Sequence, residues 1–486
     1  MAADRFDAII VGAGSAGCAL ANRLSEDPAR SVLLIEAGGD DAREDILVPH
    51  RYFSLWGSDA DWNYLSTPQP ATDGRVHRLP RGKVLGGTSS LNGMVWLRGA
   101  RSDYDRWAAL GCDGWGWPEV ASAFARLEQW QRPAELQPKN PMSEAMVDAA
   151  VQAGLPRNHD FDAGVLDGAG WNRSAIRDGR RVNSYQAFVA PIRERRPNLT
   201  VVTRAHVLRL ALDGHRATGV VLARNGAEET VAAGEVILCA GAFDSPRLLL
   251  RSGIGPAADL AALGIPSVAD LPVGRNLIDH LLIGIVYDGT REIPSTNAYC
   301  TEGCAFARSE PDREDCDLEI SFAKEPHFAP ETTDGRPRFT IIPGITRPRS
   351  RGTVLLSAAD PAAPLVIDPN YFSDPYDMRA MIAAVRLSRV IGEQPALEGW
   401  SAGEHFPGPR VETDDDIARY VARDVSTWFH PVGTSRMGTG DDAVVAPDLR
   451  VRGLANLRVA DASIMPDIVS VNTNAASRSW CWRRWG

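Results

Sequence analysis

Gly12-Ala-Gly14-Ser-Ala-Gly17 follows the apolar run Phe6–Val11 and precedes the helix-like stretch Cys18–Leu24. In a strand, turn and helix of this kind, the first glycine makes the tight turn. The second lets backbone approach a pyrophosphate, and the third lets the helix pack closely on the strand. The helix N-terminus then holds the phosphates. A second apolar run, Ser31–Ile35, ends at Glu36, nineteen residues past Gly17. Its carboxylate would accept hydrogen bonds from an adenosine ribose and repel a 2′-phosphate, so FAD or NAD fits better than NADP. A further cluster, Arg81-Gly-Lys-Val-Leu-Gly86-Gly87-Thr88-Ser89-Ser90-Leu91-Asn92-Gly93-Met94, offers amides and short hydroxyls for an anion or a flat polar ring. An ordinary Gly/Ser loop would read the same. Cys300, Cys304 and Cys316 lack the closing His of a tetrahedral zinc site, and no metal is expected.

The elements that must position these residues are an α/β nucleotide-binding domain and something else. A chain of 486 residues is long enough for roughly two to four domains. From 286 to 429 it is rich in prolines and turn residues, with short alternating strands such as Asp317–Phe322 and Arg338–Ile342, which is not a βαβ pattern. The net charge of −10 offers no footprint for a polyanion, so nucleic acid is excluded as a partner. No apolar run reaches the length of a membrane span, and the first strand begins too early to leave room for a signal peptide. Seven cysteines without a CxxC pair argue for a reducing compartment, and a cytoplasmic enzyme is expected. The sequons at Asn172 and Asn198 are read as chance matches.

The cluster from Arg81 to Met94 resembles the first signature of the glucose-methanol-choline (GMC) flavin oxidoreductases. A second signature is present in Gly241-Ala-Phe-Asp-Ser245-Pro246-Arg-Leu-Leu-Leu-Arg-Ser252-Gly253-Ile-Gly255, after the strand-like Glu235–Gly241. Val273-Gly-Arg-Asn-Leu-Ile-Asp-His280, Trp428-Phe-His430-Pro-Val-Gly-Thr434 and Leu457-Arg-Val-Ala-Asp461-Ala462-Ser-Ile-Met-Pro466 follow in family order. The chain is most similar to the choline dehydrogenase and aryl- or furfuryl-alcohol oxidase branch. The resemblance implies a Rossmann-like FAD-binding domain from 1–160, 195–285 and 430–486. It implies an α+β substrate-binding cap on an antiparallel sheet, from 161–194 and 286–429. Some relatives attach FAD covalently through a His just before the Asn of the first signature. This chain has Leu91 before Asn92, so noncovalent FAD is expected.

By the same resemblance, Val84, Asn92, Gly93, Met94 and Val95 would contact the isoalloxazine side and Val207 the adenine side. Asp461 and Ala462 would meet the pyrophosphate or ribityl chain. The cofactor set further takes in Ser15, Ala37, Arg81, Gly86, Thr88, Ser89, Ala240, Asn472 and Thr473. His430 is the expected base, since a His near neutrality can take the hydroxyl proton while hydride leaves for the flavin. Asn472, six residues after Pro466, would hold the developing alkoxide, in preference to Asn474. Trp428 and Phe429 are candidates to wall an apolar pocket, with core packing as the other reading. The substrate would be a primary, aromatic or choline-like alcohol, and the acceptor O2 or a quinone-type molecule. A lyase or light-driven decarboxylase on the same scaffold is the alternative chemistry, and a truncated, FAD-poor, inactive product is the non-enzymatic one.

The family ends in a long apolar helix after the Asn pair, whereas this chain reads Asn474-Ala-Ala-Ser-Arg-Ser-Trp480-Cys-Trp482-Arg-Arg-Trp485-Gly486. Tryptophan has one codon, and a shifted frame over this stretch can read Met-Val-Leu-Ala-Glu-Met-Gly, which resembles the missing helix. The expectation is that a frame shift replaced the segment after about Ala475 and left apolar surface of the nucleotide-binding sheet uncovered. A divergent tail is the other reading.

Overall fold

A computed structural model describes residues 5–295, 301–328 and 334–482. Strand β1 (Phe6–Val11) runs into helix α1 (Ser15–Leu24), which returns to strand β2 (Val32–Ile35). β1 and β2 are apolar on both faces, as a parallel sheet covered on both sides requires. They pair in parallel with each other, β2 pairs with Leu199–Val202, and β1 pairs with the end of Ala227–Leu238. A meander, His206–Asp213, Arg216–Arg224 and Ala227–Leu238, extends the sheet antiparallel, and Leu457–Val459 pairs in parallel with its last strand. The turn after β1 needs its glycines. Gly12 has φ +101°, and a Cβ there would stand 2.6 Å from the Cys239 carbonyl oxygen. A Cβ on Gly17 would lie 1.9 Å from the carbonyl oxygen of Gly12, so only glycine lets α1 sit this close to the turn.

The second sheet is antiparallel, in the order Ser401–Phe406, Ile285–Gly289, Arg338–Ile345, Leu318–Ala323, Gly303–Ala307 and Gly168–Trp171. Its period-2 pattern is clear in Leu318–Ala323. Leu318, Ile320 and Phe322 join a core with the helix Pro375–Gly392, while Ser321 faces the other way, into a cleft. Helix Pro141–Gln152 also packs on this sheet through Met142, Met146 and Val147, and strand Leu281–Leu282 pairs within it. Both fall in segments assigned from the sequence to the FAD-binding part. An apolar helical stripe says that a helix is buried, not against which core.

The tail departs from expectation. Thr473–Ser479 is helical, and Ala475, Ala476, Trp480 and Cys481 are buried in the first core. The Trp480 ring fills a slot between Trp107 and Trp115, at centroid distances of 6.2 and 6.0 Å. As far as Cys481 the segment therefore covers apolar surface against α1 instead of leaving it open. Trp485 and its neighbours lie outside the described residues. Among the described residues no helix is long and apolar enough to cross a membrane.

Candidate active site

The two sheets meet over a cleft of about 2010 Å³ of empty space, counted to its open mouth. One end lies at the carboxyl ends of β1 and β2, where doubly wound sheets bind ligands. Gly12, Gly14, Ser15, Glu36 and Ala37 line it from the first turn. No side chain caps α1 and no acid occupies its first turn, so its leading N–H groups are available to phosphate oxygens. Gly14 and Gly87 meet backbone to backbone, where a Cβ on Gly87 would stand 2.6 Å from Gly14 Cα. A Cβ on Gly241 would meet nothing within 4 Å, which leaves open space along the cleft wall. These features fit a pyrophosphate-bearing cofactor.

Glu36 keeps its place on the cleft, and its carboxylate also holds the turn. Oε2 accepts from Ala13 N at 3.0 Å and Oε1 from Gly38 N at 2.8 Å. Burial raises its pKa to about 7 against those bonds. Arg81, Thr88, Asn92, Gly93, Met94, Val95, Val207, Ala240, Asp461, Ala462, Asn472 and Thr473 line the cleft as well. Four expected contacts do not. Gly17 serves the helix packing already described, and Val84 is buried with Ile46, Leu55, Ala60 and Leu91. Gly86 N donates to Ala13 O, and Ser89 Oγ donates to Gly86 O while accepting from Ser184 N, so both hold the loop from behind. Asp461 is largely spent on structure, because its carboxylate joins Gly241 N and Ser245 Oγ to Ser463 N. Leu91 lines the cleft with a side chain that offers no nucleophile for a covalent link.

At the other end, His430 and Asn472 converge, with His430 Nε2 3.2 Å from Asn472 Nδ2. His430 backbone N donates to Asp279 Oδ1 at 2.8 Å, and Tyr371 and Thr427 hydroxyls donate to Oδ2 of the same carboxylate. Arg81 Nη2 donates to the carbonyl of Phe429, tying the first signature to the His430 loop. Burial, helped by His280 and Arg81, lowers the pKa of His430 well below the usual imidazole value. The ring is therefore neutral at pH 7 and ready to accept a proton.

Trp428 and Phe429 line this end, and Trp428 also packs on the core of Leu282, Ala323 and Ile342, so both readings hold for it. Sequence reasoning missed Phe53, Trp56, His327 and Phe328, which complete the wall. Trp56 meets Phe429 edge-on at 4.7 Å, and Phe53 lies 5.2 Å from the His327 ring. Tyr52, Phe53 and Trp56 stand at helical spacing and were a readable signal, whereas His327 had none. Asn474 Nδ2 donates to Ser15 Oγ at 3.3 Å, on the α1 side of the cleft. Among the described residues no group of three His, Cys, Asp or Glu could hold a metal ion, and Cys300 lies outside them.

The GMC oxidoreductase family models match residues 6–282 and 348–477. An alcohol dehydrogenase [acceptor] of Pseudomonas putida is 37% identical over 97% of this chain and 93% of its own length. A choline oxidase of Arthrobacter globiformis is 38% identical over 96% and 91%. The crystal structure of pyridoxine 4-oxidase from Mesorbium loti superposes with a TM-score of 0.93 at 35% identity, covering 99% of this chain and 98% of that one. With the glycine turns, the two sheets and the His–Asn pair in place, these matches make the chain a member of the GMC oxidoreductase family.

Proposed function

We propose that the protein oxidises the CH–OH group of a neutral, aromatic primary alcohol, with His430 as base and Asn472 as partner of the substrate oxygen. The observation that carries this reading is the His430–Asn472 pair, 3.2 Å apart at the aromatic end of the cleft, opposite the glycine turns. Noncovalently bound FAD, held along Gly12, Gly14, Gly87 and Gly93, supplies the hydride acceptor. His430 Nε2 would take the hydroxyl proton, which leaves the charge on the oxygen and raises the hydride-donating power of the carbon that bears it. Asn472 Nδ2 donates to the same oxygen and stabilises charge that develops there. Trp56, Trp428 and Phe429 exclude water and present ring edges and faces to an aromatic substrate.

Among the described residues no carboxylate lines this end, while the Arg81 guanidinium lies beside His430. The buried Asp279 offsets the Arg81 charge, so a neutral substrate over a choline-like cation is supported by the missing lining carboxylate alone. In domain terms we assign the cofactor to the first sheet and alcohol selection to the second. A cytoplasmic location rests on the cysteines, which are free and buried in every described case.

The test is an anaerobic visible spectrum of the holoenzyme with benzyl alcohol, 5-hydroxymethylfurfural or choline. Benzyl alcohol should bleach the flavin bands, and choline should do so at least about tenfold more slowly. A preference for choline would overturn the neutral-substrate reading. Admitting air then separates O2 from a quinone-type acceptor. His430→Gln should slow bleaching by roughly 10²–10⁴-fold, the usual worth of a general base. Asn472→Ala should cost about 10²–10³-fold, the usual worth of one preorganised donor.

A further inference from the structure

Behind His430 stands a second buried imidazole, His280, from the motif Val273–His280. His280 Nδ1 lies 3.0 Å from His430 Nδ1, and His280 Nε2 lies 3.0 Å from the carbonyl oxygen of Thr346. The rings are nearly perpendicular, at 84° with centroids 5.2 Å apart. We infer that His280 is a positioning residue that fixes the tautomer of His430 and leaves Nε2 of His430 bare toward the substrate. This inference rests on the reading of His430 as the base.

One chain of donors and acceptors links Thr346 to Asn472 through the two rings. A carbonyl oxygen only accepts, so the proton of His280 is on Nε2. Neutral His280 is then bare at Nδ1, and the short contact needs a proton on Nδ1 of His430. Neutral His430 is in turn bare at Nε2. Asn472 Nδ2, which only donates, lies at hydrogen-bonding distance from that atom. The amide oxygen of Asn472 is buried and without a partner, as this orientation leaves it. From the Thr346 carbonyl to the Asn472 amide, one assignment satisfies these three contacts, and the Val469 backbone stands beside His280 as a further acceptor.

The same chain limits where a new proton can go. Protonation of His280 at Nδ1 would set N–H against N–H. Protonation of His430 at Nε2 breaks only the contact with Asn472 Nδ2, which frees that amide for the substrate oxygen, and is the step that the oxidation needs. Burial keeps His280 neutral, with its pKa lowered to about 4. The charged groups around the pair are Arg81 from the first signature, Asp279 beside His280, and Asp103 from helix Arg101–Ala109 with its partner Arg347. A neutral acceptor behind His430 differs from a carboxylate, which would hold the imidazolium and raise the pKa of the base. Here the base stays free to lower pH.

Three variants and one spectrum test this in the holoenzyme. His280→Leu removes the acceptor and should lower the anaerobic flavin-reduction rate about 100-fold with benzyl alcohol, at little change in KM. His280→Asn restores an acceptor oxygen and should recover the rate to within about tenfold of the parent. His280→Asp should move the acid limb of the rate–pH profile up by about one unit or more. Equal losses in the Leu and Asn variants, or an acid limb unmoved by Asp, would overturn the role. ¹⁵N-histidine spectra of the unmutated holoenzyme decide the tautomer without turnover or altered folding. The His430 signals, identified by their loss in His430→Gln, should show a protonated Nδ1 and a bare Nε2. The reverse overturns the inference, whereas failure of every alcohol to bleach the flavin defeats the proposed activity and leaves the nitrogen signals to be read.

Discussion

The residue ahead of His430 is under strain. Phe429 has φ 63°, a left-handed conformation that costs a bulky side chain about 1–3 kcal/mol. Two bonds hold it there, Arg81 Nη2 to its carbonyl and its own N–H to Thr427 Oγ1 at 2.7 Å. The result turns the ring edge-on toward Trp56 at the mouth of the aromatic pocket. Phe429→Gly relieves the strain and removes the ring. Its melting temperature should equal or exceed that of the parent, while KM for benzyl alcohol rises about tenfold, the worth of one aromatic contact. A lower melting temperature with an unchanged KM would make Phe429 a packing residue. The lowered pKa of His430 sets a pH dependence at the same scale. Only the neutral ring accepts a proton, so flavin reduction should be flat from neutrality down past pH 6.5 and fall at more acid pH, through the pKa of the buried ring. A fall that begins at or above pH 6.5 would contradict the burial argument. His430 and Asn472 could be picked out through the family motifs that carry them, and the structure brings the two side chains within 3.2 Å. His280 was in view within its motif but had no assigned role, since its partner lies 150 residues away and only the fold brings them together.

Strands and helices were legible where one period holds. Phe6–Val11 and the strand ending at Ile35 could be read as continuous apolar runs, and Arg338–Ile342 continues to Ile345 in the structure. The meander from His206 to Leu238 was not read beyond its last few residues, because exposed Glu and Arg side chains interrupt its pattern. Strand Leu318–Ala323 hides a titration that no pattern announces. Glu319 is buried on the face opposite Leu318 and Ile320. Oε1 accepts from Ser321 Oγ at 2.9 Å and Oε2 has no partner. Burial raises its pKa to about 7. A carboxyl whose folded pKa exceeds its unfolded one stabilises fully below the unfolded value, and that contribution is lost as pH rises through the folded one. Stability from this site should therefore decline between about pH 4.5 and 7. Glu319→Gln, which stays neutral, should match the parent at pH 4 and exceed it at pH 8 by about 1–3 kcal/mol in denaturant melts. An equal difference at both pH values would mean that the carboxyl is not protonated in the fold.

At the scale of the whole molecule, the proposed role of His430 requires the two sheets to keep a fixed distance across the cleft they share. Sequence arithmetic divided the chain into segments and could not show what joins them, because the joints are single side chains. One of these is Asp103, on helix Arg101–Ala109 and fully buried. Its carboxylate receives Arg347 Nη2 at 2.8 Å from the end of the second sheet, and Ser470 N and Oγ at 2.9 and 2.8 Å from the segment that leads to Asn472. Arg347 directly follows Thr346, whose carbonyl orients His280. A single buried carboxylate thus braces both the segment that carries Asn472 and the residue next to Thr346. Asp103→Asn is nearly isosteric but leaves the Arg347 charge, itself only 6% exposed, without its closest carboxylate. Breaking one side of a buried pair costs about 3–5 kcal/mol, so the melt should shift by that order. Flavin reduction should also slow in the molecules that remain folded, because Thr346 and Ser470 lose their shared anchor. Asp103→Asn with Arg347→Met removes both charges and should recover most of the stability but not the rate. If the double variant regains both together, the brace carries stability alone, and the geometry of His280 and Asn472 is held by their own strands.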